Sequence, residues 1–261
     1  MSVLDVRSRE LFAEGHLEGS TNIPFDRFGG LLCALPPRDR EKAVELSVLA
    51  GKREELDAVC EVLEQIGYRV VEKMLAEDAE LCARGESVAL WQPNEFLRKV
   101  AERLPLEGTM LDVASGSCRD CVFMAQRGWR TVGVDWQEKL LKAGENLAAL
   151  HGVRDKCDFV LGDVGEVLRR PEHFEKYDAV NVCRFLERSL MREGVLQRVV
   201  KSGGFVVYQT FMAPCRKPCH PKHVLEKGEL KTLFEGWNVL CYEESALGDG
   251  RNVQCLLAQK P

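Results

Sequence analysis

Short apolar runs alternate with amphipathic stretches along most of the chain. Before residue 72, the apolar runs at 3–6 and 68–71 predict strands, and residues 54–66, with apolar side chains three and four apart, predict a helix. Residues 72–87 are charged and contain no strand-like run, so they predict a connecting segment.

After that segment the alternation becomes more regular. Strands are predicted at residues 110–114, 131–134, 158–161, 179–183 and 205–210. Helices are predicted at residues 93–103, 119–127, 137–150 and 189–200. Two further strand-like runs, 238–243 and 252–258, end the chain as a hairpin. Strands alternating with helices predict a parallel sheet that is covered by helices on both faces.

Composition narrows the class of protein. With 261 residues, 45% of them hydrophobic and 30% charged, the chain is typical of a globular protein that needs no disulfide to stabilise its core. The first ten residues carry four charges, which argues against a signal peptide, and no apolar run approaches the roughly 20 residues of a membrane helix. Eleven cysteines without a secretory signal indicate reduced thiols, so we expect a cytoplasmic protein. The net charge of −5 argues against a nucleic-acid partner.

The stretch LDVASGSCRD, residues 111–120, joins the first strand of the regular alternation to the next helix. In doubly wound sheets this turn holds the polar part of a cofactor, because small residues let the backbone approach and the helix start offers free N–H groups. The small residues Ala114, Gly116 and Cys118 stand at i, i+2 and i+4. A dinucleotide-binding turn needs its third glycine at i+5, where Arg119 stands, so an NAD-dependent enzyme is not indicated.

This turn resembles the first motif of the class I S-adenosylmethionine-dependent methyltransferases, an acid followed by x-Gly-x-Gly-x-Gly. Asp112 is the acid, while Ala114 and Cys118 replace the first and third glycines. The resemblance implies that S-adenosylmethionine is the cofactor and that Asp112 holds its ammonium group, usually through water. It also implies that Ala114, Ser115, Gly116 and Cys118 cradle its methionine part.

Two later strand ends carry acids in the expected order. TVGVD ends in Asp135, 23 residues after Asp112, which fits the roughly 20-residue offset of a ribose-binding acid. FVLGD ends in Asp163, where the resemblance implies a residue that faces the adenine amino group. Each aspartate alone is as typical of a helix cap or a turn as of a cofactor site, but all three in order favour a cofactor site. The predicted cofactor site also includes Trp136, Val164 and Cys183.

The segments LWQPNEFLRKV, CRFLERSL and VLEKGELKTLFEGWNVLCYEE resemble the tellurite-resistance-type and thiol-type branch of small-molecule methyltransferases. The N-terminal segment LDVRSRELFAEGHLEGSTNIPF resembles a rhodanese domain. Rhodaneses carry a persulfide on the cysteine of a Cys-x-x-Gly-x-Arg loop, and the matching VLAGKR has Gly51 and Arg53 but Val48 in the cysteine position. Valine cannot carry a persulfide, so we expect no sulfurtransferase activity.

The predicted fold class is therefore α/β in two domains. A small rhodanese-like domain is expected at residues 1–80. A Rossmann-like class I methyltransferase domain, with a mostly parallel seven-stranded sheet, is expected at residues 88–261.

The methyl acceptor is expected to be a small, soft or anionic molecule, such as a thiol or a metalloid oxyanion, for which a general base is optional. Arg184 and Tyr208, at or near strand ends, are the catalytic candidates. Arg184 could instead pair with Glu187 or Asp163, and Tyr208 could equally be a core residue. The stretch CRKPCHPKH, residues 215–223, lacks the usual zinc spacing, so we expect no metal there. It is either a basic loop near the substrate or a solvated loop.

Two alternatives remain open at this point. One keeps the fold but changes the acceptor to a protein or a tRNA. The other is a non-enzymatic binding or regulatory module built from two degenerate domains, which Val48 and Cys118 both suggest. The sequence leaves the oligomeric state undetermined.

Overall fold

The computed structural model describes residues 2–37, 43–85 and 87–261. The chain divides into two compact units, Met1–Gln92 and Pro93–Pro261, each with its own sheet. The connecting segment predicted at 72–87 begins instead as a strand that continues to Leu75, and residue 86 of that segment lies outside the described residues. Among the described residues, no helix is long and apolar enough to cross a bilayer.

The N-terminal unit has a parallel sheet in the order β2-β1-β3-β4. Its strands are β1 Val3–Asp5, β2 Thr21–Asn22, β3 Glu45–Ala50 and β4 Arg69–Leu75. Its helices are α1 Arg9–Glu14 and α2 Arg53–Gln65, with 3-10 turns at Phe25–Gly30, Leu32–Ala34 and Ala76–Asp78. β1, β4 and α2 were predicted from the sequence, whereas β2 and β3 were not. β2 is only two residues long, and the short apolar run of β3 has no strict alternation.

The C-terminal unit has a seven-stranded sheet in the order β10-β11-β9-β8-β5-β6-β7. Its strands are β5 Thr109–Val113, β6 Arg130–Asp135, β7 Cys157–Leu161, β8 Tyr177–Cys183, β9 Val200–Phe211, β10 Asn238–Ala246 and β11 Asn252–Gln259. The pairs from β7 through β9 are parallel, and β11 runs antiparallel to both β9 and β10. The mostly parallel sheet with a late hairpin is confirmed.

The helices of this unit are short apart from the two that follow β5 and β6. They are α3 Glu95–Val100, α4 Arg119–Gln126, α5 Glu138–Leu150, α6 Val164–Leu168, α7 Arg188–Arg192, α8 Val195–Val199 and α9 Glu229–Leu233. The single helix predicted at 189–200 is two helices, because Gly194 between them takes a φ of 69°. The five-residue helices α6 and α9 are too short to give a clear apolar period.

Helices cover both faces of the sheet, as the alternation of side chains along the strands requires. In β5, Leu111 packs in one buried cluster with α6 to α8, while its neighbour Met110 packs in another with α3 and α4. The carboxyl ends of β5, β6 and β8 meet at one edge. The strand order reverses between β5 and β8, which is where doubly wound sheets open a crevice for a ligand.

Candidate functional site

The turn after β5 presents backbone rather than side chains. Ala114, Gly116 and Cys118 take φ values of 55°, 54° and 53°, a left-handed geometry that costs a non-glycine residue roughly 1–3 kcal/mol. The Ser115 N–H donates to the carbonyl of Val134 at 3.0 Å, which holds the turn against β6. A Cβ added to Gly116 would meet no described atom within 4 Å, so the turn has an open outer surface.

Cys118, in the position of the third glycine, is directed beneath the turn. Its side chain is fully buried, and its Sγ donates to the Ser115 hydroxyl at 3.3 Å. Two glycines provide the space: a Cβ on Gly133 would lie 2.9 Å from Cys118 Sγ, and one on Gly144 would lie 2.7 Å from Cys118 Cβ. The replacement is therefore accommodated below the turn, and it leaves the outer surface clear.

Asp135 ends β6 and ties the turn to the next helix. Its Oδ2 accepts from the Gly116 N–H at 2.8 Å, and its Oδ1 accepts from the Gln137 N–H at 2.9 Å. The carboxylate is almost wholly buried. Because each carboxylate oxygen has two lone-pair sites, these two bonds leave acceptor capacity for a ligand hydroxyl.

Two buried carboxylates share one amide beneath the turn. The Asn181 Nδ2 donates to Asp112 Oδ1 at 2.8 Å and to Asp120 Oδ2 at 2.9 Å. Asp112 also accepts from the Cys121 thiol at 3.4 Å, and Asp120 accepts from the Asn94 N–H at 2.6 Å. Burial, followed by the charge of Asp120, raises the pKa of Asp112 well above its ordinary value, and burial also raises the pKa of Asp120. A cation beside this pair would offset the repulsion between its members.

Asn94 connects the start of α3 to the ends of two central strands. Its side-chain oxygen accepts from the Leu97 N–H at 2.9 Å, an N-cap, and its amide donates to Cys183 Sγ at 3.0 Å and to Gln209 Oε1 at 2.5 Å. Burial raises the pKa of Cys183, so its thiol stays neutral at physiological pH. Cys183 therefore lies at the edge of the sheet where the cofactor is predicted to bind, and its thiol carries no charge there.

The predicted adenine side lies at the ends of β6 and β7. Asp163 caps α6 by accepting from the Glu166 N–H at 3.0 Å, and Val164 behind it is buried. Trp136 is 72% exposed and Leu161 is 55% exposed, which is unusual for large apolar side chains. Since Leu161 pairs in register with Asp135, these two side chains offer an apolar surface next to that carboxylate.

A cavity of about 650 Å³ lies beyond the end of β8. It is lined by residues 184–189, Phe211, Pro218, Lys222 and His223. Arg184 lines it from a left-handed backbone with φ 56°. Tyr208 does not line it: the ring is buried in the core against Phe234, and its hydroxyl donates to the Phe185 carbonyl at 3.1 Å. Of the two catalytic candidates, the geometry favours Arg184.

Arg188 holds the segment that forms the outer wall of this cavity. Its guanidinium pairs with both carboxylate oxygens of Glu229, at 2.5 and 2.8 Å. It also donates to the carbonyls of Pro221, Lys222 and Val224 at 3.0, 3.4 and 2.8 Å. With its donors used in this way, Arg188 positions the segment rather than binding a ligand.

The same segment contains the cysteines and histidines of the stretch CRKPCHPKH, residues 215–223. Cys219 is exposed, Cys215 is half-buried, and His220 accepts from the Lys222 N–H at 3.1 Å. Across the described ranges, no three His, Cys, Asp or Glu side chains are grouped as a metal site.

Three polar residues of the site were missed by sequence reasoning, namely Asn94, Asp120 and Asn181. Asn181 had a readable signal, because it interrupts the apolar run YDAVNVC. In the structure its register partner on the neighbouring strand is Asp112. Asp120 and Asn94 look like ordinary residues at helix starts. Their role becomes visible only when the fold brings the two helices to the same strand ends.

The strand order, the open turn after β5 and the acids at the strand ends together define the class I methyltransferase fold. Residues 111–208 match the family model for the methyltransferase domain. The C-terminal unit therefore has the fold of that class, and its central part is similar to the methyltransferase family model.

Solved structures agree on the fold. TehB from Haemophilus influenzae is 18% identical with a TM-score of 0.53 over 65% of this chain, and the chain spans 63% of the length of TehB. A SAM-dependent methyltransferase from Methanosarcina mazei is 16% identical with a TM-score of 0.53, covering 62% of this chain and 96% of the other. The cyclase SpnF is 16% identical with a TM-score of 0.52, covering 63% and 79%. No curated protein matches the chain.

Proposed function

We propose that the C-terminal unit binds S-adenosylmethionine and transfers its methyl group to a small anionic or soft acceptor. The observation that carries this proposal is the buried pair Asp112 and Asp120 beneath the open turn after β5. Two carboxylates held by one amide favour a cationic partner, and S-adenosylmethionine carries both an ammonium and a sulfonium charge.

The residues present fit this cofactor. Cys118 leaves the outer surface of the turn clear, and Gly116 has open space where a side chain would stand. The acid pair matches the ammonium group, and Asp135 keeps acceptor capacity for a ribose hydroxyl. The exposed Trp136 offers a ring on which adenine can stack, beside the helix start that Asp163 caps.

When bound, S-adenosylmethionine supplies a methyl group that is already activated for displacement. The chain then has to orient the acceptor and exclude water. Arg184 is suited to orienting the acceptor, because it lines the cavity and its charge also acts on Asp120. The half-buried Cys183, which directly precedes Arg184, has a raised pKa and so adds no charge there.

The lining of the cavity supports an anionic acceptor. Arg188 is neutralised by Glu229, which leaves Arg184 and Lys222 as cations against the single carboxylate of Glu187. The cavity therefore carries a net positive lining that attracts anions such as thiolates, carboxylates or metalloid oxyanions. A volume of about 650 Å³ suits a small molecule.

Calorimetric titration of the full chain with S-adenosylmethionine tests the proposal. We expect a dissociation constant in the micromolar range for the wild type. Asp135→Asn should weaken binding about tenfold or more. Its amide nitrogen would replace one of the two oxygens that accept from backbone N–H groups in the wild type, and it cannot accept. The matched control is Asp158→Asn, an exposed aspartate on the neighbouring β7, which should bind like the wild type. Absence of binding by folded wild-type protein would contradict the proposal.

A binding wild type would then be mixed with radiolabelled cofactor and a panel of thiols and metalloid oxyanions. Labelled product from an anionic member, reduced in Arg184→Met, would support the acceptor class. Labelling of tRNA or protein alone would instead favour those acceptors. If no substrate is labelled, the non-enzymatic module becomes the better account.

We also propose that the N-terminal unit is a rhodanese-like domain without sulfurtransferase activity. Its parallel sheet and the segment VLAGKR support the resemblance. Val48 lies fully buried within β3, and it offers no sulfur at the position where the persulfide would form. Transfer of sulfur from thiosulfate to cyanide should stay at background in the full chain, and turnover above background would contradict this proposal.

A further inference from the structure

Two thiols lie side by side beneath the turn after β5. Cys118 immediately precedes α4, and Cys121 lies in its first turn, so the pair has the Cys-x-x-Cys spacing of dithiol sites at helix starts. A Cβ on Gly133 would lie 2.9 Å from Cys118 Sγ and 3.2 Å from Cys121 Sγ. The two sulfurs therefore face the same small space.

We propose that Cys118 and Cys121 form a redox modification site, at which a small disulfide of the glutathione type closes an intramolecular disulfide that weakens cofactor binding. One cysteine thiolate attacks the oxidised glutathione, and its disulfide bond breaks to release one glutathione thiolate. The second cysteine thiolate attacks the mixed disulfide and releases the other. The two cysteines lose two electrons and two protons, which leave with two molecules of glutathione. The effect on binding rests on the proposed function.

Both sulfurs are hydrogen-bonded to parts of the cofactor site. The Cys121 thiol donates to Asp112 at 3.4 Å, and the Cys118 thiol donates to the Ser115 hydroxyl at 3.3 Å. A disulfide removes both donors and brings the sulfurs to about 2.05 Å. Asp112 then loses a partner, and the turn is pulled toward α4. We expect the dissociation constant of S-adenosylmethionine to rise about tenfold.

The turn after β5 covers the two thiols. Both thiols are fully buried, and the hydrogen bond with Cys118, followed by burial, raises the pKa of Cys121. Oxidation therefore requires the turn to move away from the thiols. A ligand that binds only when the turn covers them slows oxidation by mass action, so S-adenosylmethionine at ten times its dissociation constant should slow it about tenfold.

The sequence allows a direct measurement. Trypsin cleaves after Arg103, Arg119 and Arg127, which places Cys118 in the peptide 104–119 and Cys121 in the peptide 120–127. The full chain is incubated with oxidised glutathione, free thiols are alkylated, and the digest is analysed by mass spectrometry. The expected result is a disulfide-linked pair of these two peptides that separates on reduction. Cysteines found only alkylated, glutathionylated or linked to Cys157 would overturn the proposal.

Variants connect the modification to binding. Cys121→Ser keeps a donor for Asp112 but cannot form the disulfide, so oxidant should leave its S-adenosylmethionine affinity unchanged. The matched control Cys157→Ala removes the neighbouring thiol and should still lose affinity on oxidation. If the wild type forms the linked peptides yet keeps its affinity, the proposal is overturned. If reduced wild type binds no cofactor, the proposed function fails, and the linked peptides alone decide whether the site exists.

Discussion

Asp112 and Asp120 are held together by one side-chain amide, and this arrangement opposes the stability of the ligand-free protein. Burial raises the pKa of both carboxyl groups, and the charge of Asp120 raises that of Asp112 further. The folded protein therefore retains protons that the unfolded chain has released, so the free energy of unfolding falls as pH rises through that window. Such tension is common at sites that must bind a charged ligand.

Binding of S-adenosylmethionine should release protons. A cation favours the ionised form of Asp112, so affinity should rise as the pH rises from about 5 to 8. Calorimetry at one pH in buffers of different ionisation enthalpy measures the protons released. Asp112→Asn keeps the bond to Asn181, and it should abolish most of the release and weaken binding roughly tenfold to a hundredfold.

The same variant should unfold at a higher temperature than the wild type at pH 7 without ligand, since it removes one of two repelling charges. The control Asp158→Asn should show neither change. Unaltered proton release in Asp112→Asn would show that this carboxyl does not receive the cation.

Gly144 is the residue that makes room for Cys118. In Gly144→Ala the new Cβ would lie 2.7 Å from Cys118 Cβ and 3.0 Å from the Ser117 carbonyl, and neither can rotate away. We expect a loss of about 1–2 kcal/mol in the free energy of unfolding, after the gain in helix propensity is taken into account. Urea denaturation measures this loss, and Gly248→Ala, whose Cβ would meet no described atom within 4 Å, should be neutral.

The cause can be isolated with a double mutant. Cys118→Gly removes the 2.7 Å contact, so Gly144→Ala should cost less in that background. Purely additive effects of the two substitutions would contradict the packing of Cys118 against Gly144.

At the scale of elements, strands with a clear apolar run and long helices could be predicted from the sequence. The strands of the large sheet and α5 follow from apolar runs and helical spacing. The break at Gly194 could not, because a helical pattern continues across it while the backbone turns left-handed. Candidate site residues at strand ends, such as Asp112 and Asp135, could be chosen from the sequence. Those at the starts of two converging helices, Asn94 and Asp120, could not, because their contacts are non-local.

The segment around Pro221–His223 depends on Arg188 for its position. Arg188→Lys replaces a planar guanidinium with five N–H donors by a single ammonium group. The lysine therefore cannot keep both the paired bonds to Glu229 and the contacts to the backbone carbonyls. We expect amide hydrogen exchange in residues 219–225 to accelerate about tenfold, because these contacts are worth roughly 1–3 kcal/mol. Exchange measured by mass spectrometry tests this expectation.

Arg192→Lys changes an exposed arginine on the same helix, and it should leave exchange as in the wild type. S-adenosylmethionine binding should be unaffected in both variants, since the described hydrogen bonds of Arg188 go to residues 221–229. Unchanged exchange in Arg188→Lys would show that the segment is held by other contacts.

At the scale of the whole molecule, each unit contains a complete sheet, with β1 to β4 before residue 92 and β5 to β11 after residue 93. The buried clusters on the two faces of the large sheet draw their members from the C-terminal unit alone. A unit with its own sheet and core has what it needs to fold independently.

Residues 93–261 expressed alone should therefore fold, unfold cooperatively in urea, and bind S-adenosylmethionine within about threefold of the affinity of the full chain. The reason is that the turn after β5, the acid pair and Asn94 all lie inside this fragment. Circular dichroism and calorimetry measure the two properties, with the Asp135→Asn fragment as the control for specific binding. A fragment that folds but binds more than tenfold more weakly would mean that the first 92 residues contribute to the cofactor site. An unfolded fragment would mean that they contribute to the core.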